Sequence, residues 1–133
     1  MTDLIAKYRY DTDIIPCTIY QDDGETTDDL SLFTNILVLL CSEKFILDND
    51  SEQAFSSDLI IEKYAMNEKE GFNTDDFKIV GDGSFNICVQ NSVIAAMKRG
   101  ELYKCVFLLY KTNSDYESGY EIETLEELYI ERK

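Results

Sequence analysis

The chain has 133 residues, with 12 Lys and Arg against 27 Asp and Glu, which gives a formal net charge of −15 at neutral pH. That length predicts one domain spanning 1–133, and that charge argues against unaided binding to nucleic acid or an anionic membrane face, because the field repels polyphosphates. Histidine is absent, so Ser-His-Asp and Cys-His nucleophilic sites and mixed Cys/His zinc sites are excluded within this chain, while a 44% apolar fraction suffices for a core.

Residues 3–10 (DLIAKYRY) and 14–20 (IIPCTIY) are rich in β-branched and aromatic types and flank Asp11-Thr12-Asp13, a pattern that predicts a hairpin. Pro16 cannot donate to a ladder, so its strand belongs at a sheet edge or begins there. QDDGETTDD (21–29) reads as a polar, strongly acidic loop. Thr27 then caps an expected helix over 28–43, with Asp28 and Asp29 in its first turn and Leu30, Phe33, Ile36 or Leu37, and Leu40 at helical spacing. Asp50 and Gln53 have capping-box spacing ahead of a second expected helix over 51–66.

DFKIV (76–80), GDG and SFNICVQ (84–90) read as strand, turn and strand, because Phe77 alternates with Ile79, and Phe85 with Ile87 and Val89. NSVIAAMKRG reads as a short helix that Gly100 ends. A long strand follows over 102–112, then a turn at 113–115 and a returning strand, YESGYEIE. Thr124 and Glu127 form a capping box for a terminal helix, LEELYIER. The expected fold class is therefore α+β, an antiparallel sheet with helices packed on one face.

The motifs for common chemistries fail. Gly81 and Gly83 sit between two strands rather than ahead of a helix, which makes GDGS a hairpin turn and no phosphate cradle. An EF-hand loop starting at Asp48 needs glycine where Gln53 stands and glutamate where Leu59 stands. Cys17, Cys41, Cys88 and Cys105 form no CxxC pair, and each lies in or beside an apolar run, as buried thiols in a reducing compartment do. No cofactor is expected. The first residues lack an apolar signal core, so a cytoplasmic setting is the expectation.

Charge distribution is the most informative feature. Residues 1–30 hold eight acids and two bases, and residues 112–131 hold seven acids and no base. An acidic surface ordinarily serves solubility, yet such an excess carries self-repulsion that lowers stability, which gives a functional reason for it weight. Carboxylates at i and i+2 of a strand lie about 6.6 Å apart, close to every second phosphate of a nucleic-acid strand. Glu121 and Glu123, and Asp115 and Glu117, have that spacing, with Tyr116 and Tyr120 interleaved as amphipathic contacts. The candidate partner-binding set is Asp22, Asp23, Glu25, Asp28 and Asp29 from the first block, and Asp115, Tyr116, Glu117, Tyr120, Glu121 and Glu123 from the second. Lys98, Arg99, Lys104 and Lys111 form the one local basic cluster.

In size, charge and lack of catalytic residues, the chain resembles small phage-encoded anti-restriction and anti-CRISPR proteins. Those proteins share no motif, so nothing is carried over residue by residue. The likeness implies a non-catalytic inhibitor whose acidic face docks into the basic nucleic-acid groove of a target nuclease. An immunity protein neutralising a cationic nuclease toxin fits the same composition, and an enzyme using paired carboxylates with a divalent metal is a further alternative.

Overall fold

A computed structural model describes residues 5–8, 13–19, 29–47 and 54–132. Among these described residues are eight strands: β1 (Ile5–Tyr8), β2 (Asp13–Thr18), β3 (Asn35–Ser42), β4 (Ile60–Ala65), β5 (Phe77–Ile79), β6 (Ser84–Val89), β7 (Leu102–Thr112) and β8 (Tyr120–Arg132). One short α-helix, α1 (Asn91–Ala96), lies between β6 and β7. A five-stranded sheet has the order β1-β8-β7-β3-β4 and a three-stranded sheet the order β2-β6-β5. All pairings are antiparallel except β1 with β8.

The expectation of helices packed on a sheet is therefore overturned, since α1 has only six residues and the described elements are mainly antiparallel strands. The expected helix over 28–43 is a 3-10 turn at Leu30–Leu32 followed by β3. Its apolar residues point both ways. Ile36, Val38 and Leu40 enter a core cluster with Phe85, Ile87 and Val89 of β6, while Leu37, Leu39 and Cys41 enter a second cluster with Phe55, Val106 and Leu108. A central strand buried on both faces gives the same continuous apolar run as a helix buried all round, and here the pairing of β3 with β4 and β7 decides between them.

The expected helix over 51–66 reduces to a 3-10 turn at Ala54–Ser56 and then β4; its proposed cap, Asp50 with Gln53, lies outside the described residues. The expected terminal helix is instead the main length of β8, paired with β7 from Thr112↔Tyr120 to Leu102↔Glu131. Nor do the first two strands form a hairpin: β1 joins β8 and β2 joins β6. The hairpin of β5 and β6 and strand β7 lie where the residue alternation places them, and α1 occupies the first part of its expected span. Pro16 does stand in an edge strand.

The larger sheet thus forms a middle layer, with the smaller sheet and α1 over one face. Over the other lie Phe45, Phe55 and the half-buried Phe72. Phe55 and Phe72 meet edge to face at 5.5 Å, and Lys63 Nζ donates to the Phe55 carbonyl at 3.2 Å while lying 5.3 Å from the Phe72 ring centre. That arrangement anchors the segments flanking β4. Of the four cysteines, all free, Cys41 and Cys105 are buried and Cys17 and Cys88 half-buried. No helix among the described residues is long and apolar enough to cross a membrane.

Leu39 is fully buried in the second cluster. Leu39→Ala is expected to lower stability by about 2–5 kcal/mol in urea denaturation. Tyr64 is also fully buried, with a hydroxyl that makes no hydrogen bond. Tyr64→Phe is accordingly expected to leave stability unchanged or raise it, because it removes a desolvated group without orphaning a partner.

Candidate acidic interface

The two acidic blocks are far apart in the chain, and the topology brings their anchor points to one end of the sheets. Ile19 N donates to the Gly83 carbonyl at 3.0 Å, and Leu30 N to the Asp82 carbonyl at 2.7 Å, so both flanks of segment 20–28 are tied to the turn between β5 and β6. Leu30 and Phe33 are buried in the first core cluster and hold the stretch between them in place. Thr34 then bonds the end of β7, its N to the Tyr110 carbonyl at 2.7 Å and its hydroxyl to that of Thr112 at 2.7 Å. From Thr112 the chain enters the 113–119 turn, closed by Asn113 N to the Gly119 carbonyl (2.9 Å), with Gly119 in the left-handed region at φ 80°. On the other side of Thr34, Asn67 Nδ2 donates to the Thr34 carbonyl at 2.9 Å, and its N to Asn35 Oδ1 at 2.9 Å, which sets Glu68 at the same end.

Asp29, Glu68, Asp82, Asp115, Glu117, Glu121 and Glu123 are exposed there. The opposite end presents exposed Glu43, Asp58 and Glu101 beside exposed Lys44, Lys98 and Arg99, a balanced set. The expected basic cluster is dispersed: Lys98 and Arg99 follow α1, Lys104 is buried in β7, and Lys111 lies seven residues farther on, about 23 Å along the strand.

Between the acidic groups is an open groove of about 390 Å³ lined by Ser31, Leu32, Phe33, Thr34, Lys111 and Thr112. Leu32 is 57% exposed, and Tyr116 on the adjoining turn is 50% exposed. Lys111 Nζ lies 5.2 Å from the Phe33 ring centre, and Lys111 stands opposite Glu121 in the β7–β8 register. The groove thus offers apolar and hydroxyl contacts inside a negative rim.

Of the candidate residues read from the sequence, Asp22, Asp23, Glu25 and Asp28 lie outside the described residues, as does the expected cap Thr27. Asp29 caps the 3-10 turn, its carboxylate accepting from Ser31 N at 2.9 Å. Asp115, Tyr116 and Glu117 are in the turn and not in a strand, so the strand spacing does not apply to them. Glu121 and Glu123 keep it, and share one face of β8. Tyr120 faces the other way, against Tyr110 at 5.9 Å between ring centres, so it is not interleaved with them. Asp82 and Glu68 were not among the candidates, nor were Leu32 and Lys111. Asp82 had been legible only as part of a hairpin turn, because nothing local says that the turn adjoins segment 29–34.

Backbone and side-chain hydrogen bonding with Ser31 holds the Asp29 carboxyl below the usual carboxylate range. Burial pushes the Cys17 thiol up to about 12, and burial with neighbouring Cys17 and Cys41 also pushes up Cys105. Burial raises the Tyr64 phenol as well. Among the described residues no three Cys, Asp or Glu side chains converge in a cluster able to hold a metal ion. No protein-family model and no curated protein matches the chain.

Two outcomes follow from these groups. Because the folded state depresses the Asp29 pKa, its stabilisation is present above the unfolded carboxylate range and disappears as pH falls through the folded value. Asp29→Ala should therefore melt below wild type at pH 7, with the gap closing as pH falls below the usual carboxylate range, in thermal scans. With its pKa near 12, Cys17 is expected to resist alkylation by iodoacetamide at pH 8 in the folded protein, where its thiolate fraction is about one in ten thousand, and to react only on unfolding, as read by peptide mass spectrometry.

Proposed function

We propose that this protein is a non-catalytic inhibitor that inserts its acidic end into the cationic nucleic-acid groove of a target protein, in the manner of a nucleic-acid mimic. One observation carries the reading: among the described residues, exposed acids from separate parts of the chain gather at one end, whereas those at the opposite end stand beside an equal number of exposed bases. Solubility alone does not call for such segregation, since a dispersed charge serves it equally. A concentrated negative face steers encounter with a cationic groove and competes with the polyanion that the groove binds. Leu32 and Tyr116 supply the apolar contact that a purely charged rim lacks. The partner is therefore a basic protein, a nuclease or another nucleic-acid-binding effector, and a cytoplasmic setting accords with the free cysteines.

The test is capture from host-cell lysate on immobilised protein, followed by elution with duplex DNA. A cationic nucleic-acid-binding protein is expected in the eluate. The triple variant Asp82→Lys, Glu117→Lys and Glu121→Lys should retain less than about one-tenth of it, and association should slow steeply with added salt. A captured protein that excess DNA leaves in place, or that the variant holds equally well, would overturn the reading.

A further inference from the structure

Sheet edges present unpaired N–H and C=O groups, and folded chains obstruct them. In β2, Ile19 N bonds the Gly83 carbonyl, and continuing the alternation along the register puts Pro16 at an outward-facing position, where it has no N–H to offer. The edge of β4 is occupied by Asn73, whose carbonyl accepts from Ala65 N at 3.1 Å and whose N donates to the Lys63 carbonyl at 2.8 Å. Among the described residues, nothing comparable covers strand β5. Cys88 N donates to the Asp76 carbonyl at 2.9 Å and Val80 N to the Ser84 carbonyl at 3.0 Å, so the intervening alternation turns the N–H and C=O of Ile79 away from β6. Ile79 is 59% exposed and Val80 58%.

We propose that the β5 edge receives an extended cationic segment of the partner protein by strand addition, with an apolar residue beside Ile79 and a basic residue three positions away on each side. This inference rests on the cationic-partner reading above. Asp76 and Asp82 stand three residues before and after Ile79, in the turns just beyond the two ends of β5, so each end of an added strand runs toward a carboxylate that a long basic side chain can reach. Asp82 is exposed, and the Asp76 carboxylate is fixed by Asn73 Nδ2 at 2.8 Å and Gln90 Nε2 at 2.9 Å. Lys78, on the strand itself, disfavours a basic residue immediately next to the apolar one. A second copy of this chain is a poor occupant, because its β5 laid antiparallel in the same register sets Asp82 against Asp76 on two molecules that each carry a net charge of −15.

The probe is the peptide acetyl-Arg-Thr-Thr-Val-Thr-Thr-Arg-amide, titrated at low salt and followed by amide NMR and hydrogen exchange. Saturable binding with slowed exchange of the Ile79 amide is expected. The same peptide N-methylated at Val keeps its charge and loses the central N–H, and should bind at least about tenfold more weakly. Ile79→Pro removes the facing donor and spares the β6 ladder, because that N–H points away from it, and should weaken the unmodified peptide similarly. Equal binding of the two peptides, or no binding at millimolar concentration, overturns strand addition. Full capture of a DNA-eluted partner by Ile79→Pro also overturns it while leaving the cationic-partner reading intact, whereas capture that no longer depends on the acidic end removes that reading itself.

Discussion

Two-sided burial of β3 is the constraint on which the rest of this molecule depends. Its alternating side chains supply both core clusters, Ile36, Val38 and Leu40 toward the smaller sheet and Leu37, Leu39 and Cys41 toward Phe45 and Phe55. An interior strand of this kind satisfies its backbone only with neighbours on both edges, and β4 and β7 provide them. Once β7 is fixed beside β3, the 113–119 turn and the start of β8 must project from the end where Thr34 meets Thr112. The position of the second acidic block is thus a consequence of the central strand's pairing.

Asp29 and the flanks of segment 20–28 are positioned by different means. Leu30 and Phe33 are drawn into the core, and the Asp82 and Gly83 carbonyls accept from the chain on either side of segment 20–28. Burial of apolar side chains at either side of this end opposes the repulsion of gathering carboxylates, since each buried Leu or Phe contributes on the order of 1.5–3 kcal/mol and salt screens exposed like charges. Lys111, standing opposite Glu121 with its ammonium over Phe33, relieves part of that repulsion.

What the sequence disclosed divides along physical lines. Segments whose order is set by near neighbours were legible: the β5–β6 hairpin with its Gly-Asp-Gly turn, and α1 ahead of Gly100, whose φ of 81° requires a residue free of side-chain strain. Segments decided by distant partners were misread as helices. LFTNILVLLC has the same apolar content whether buried all round or sandwiched, and TLEELYIER fits a capping box until β7 pairs with it. At the acidic end, the acidity of residues 115–123 was plain. The separation of Tyr120 from Glu121 and Glu123 onto opposite faces required the strand, and the placement of Asp82 at this end required a contact across about fifty residues of sequence, from Leu30 to the β5–β6 turn.

The central claim is that one end of this molecule, and not its exterior generally, makes the contact with a cationic partner. Hydrogen-exchange footprinting of the purified complex against the free protein tests it most directly. New protection should concentrate in residues 29–34, 81–83 and 113–123. Protection confined instead to the charge-balanced end, around residues 43–44, 58–59 and 98–101, would contradict the account.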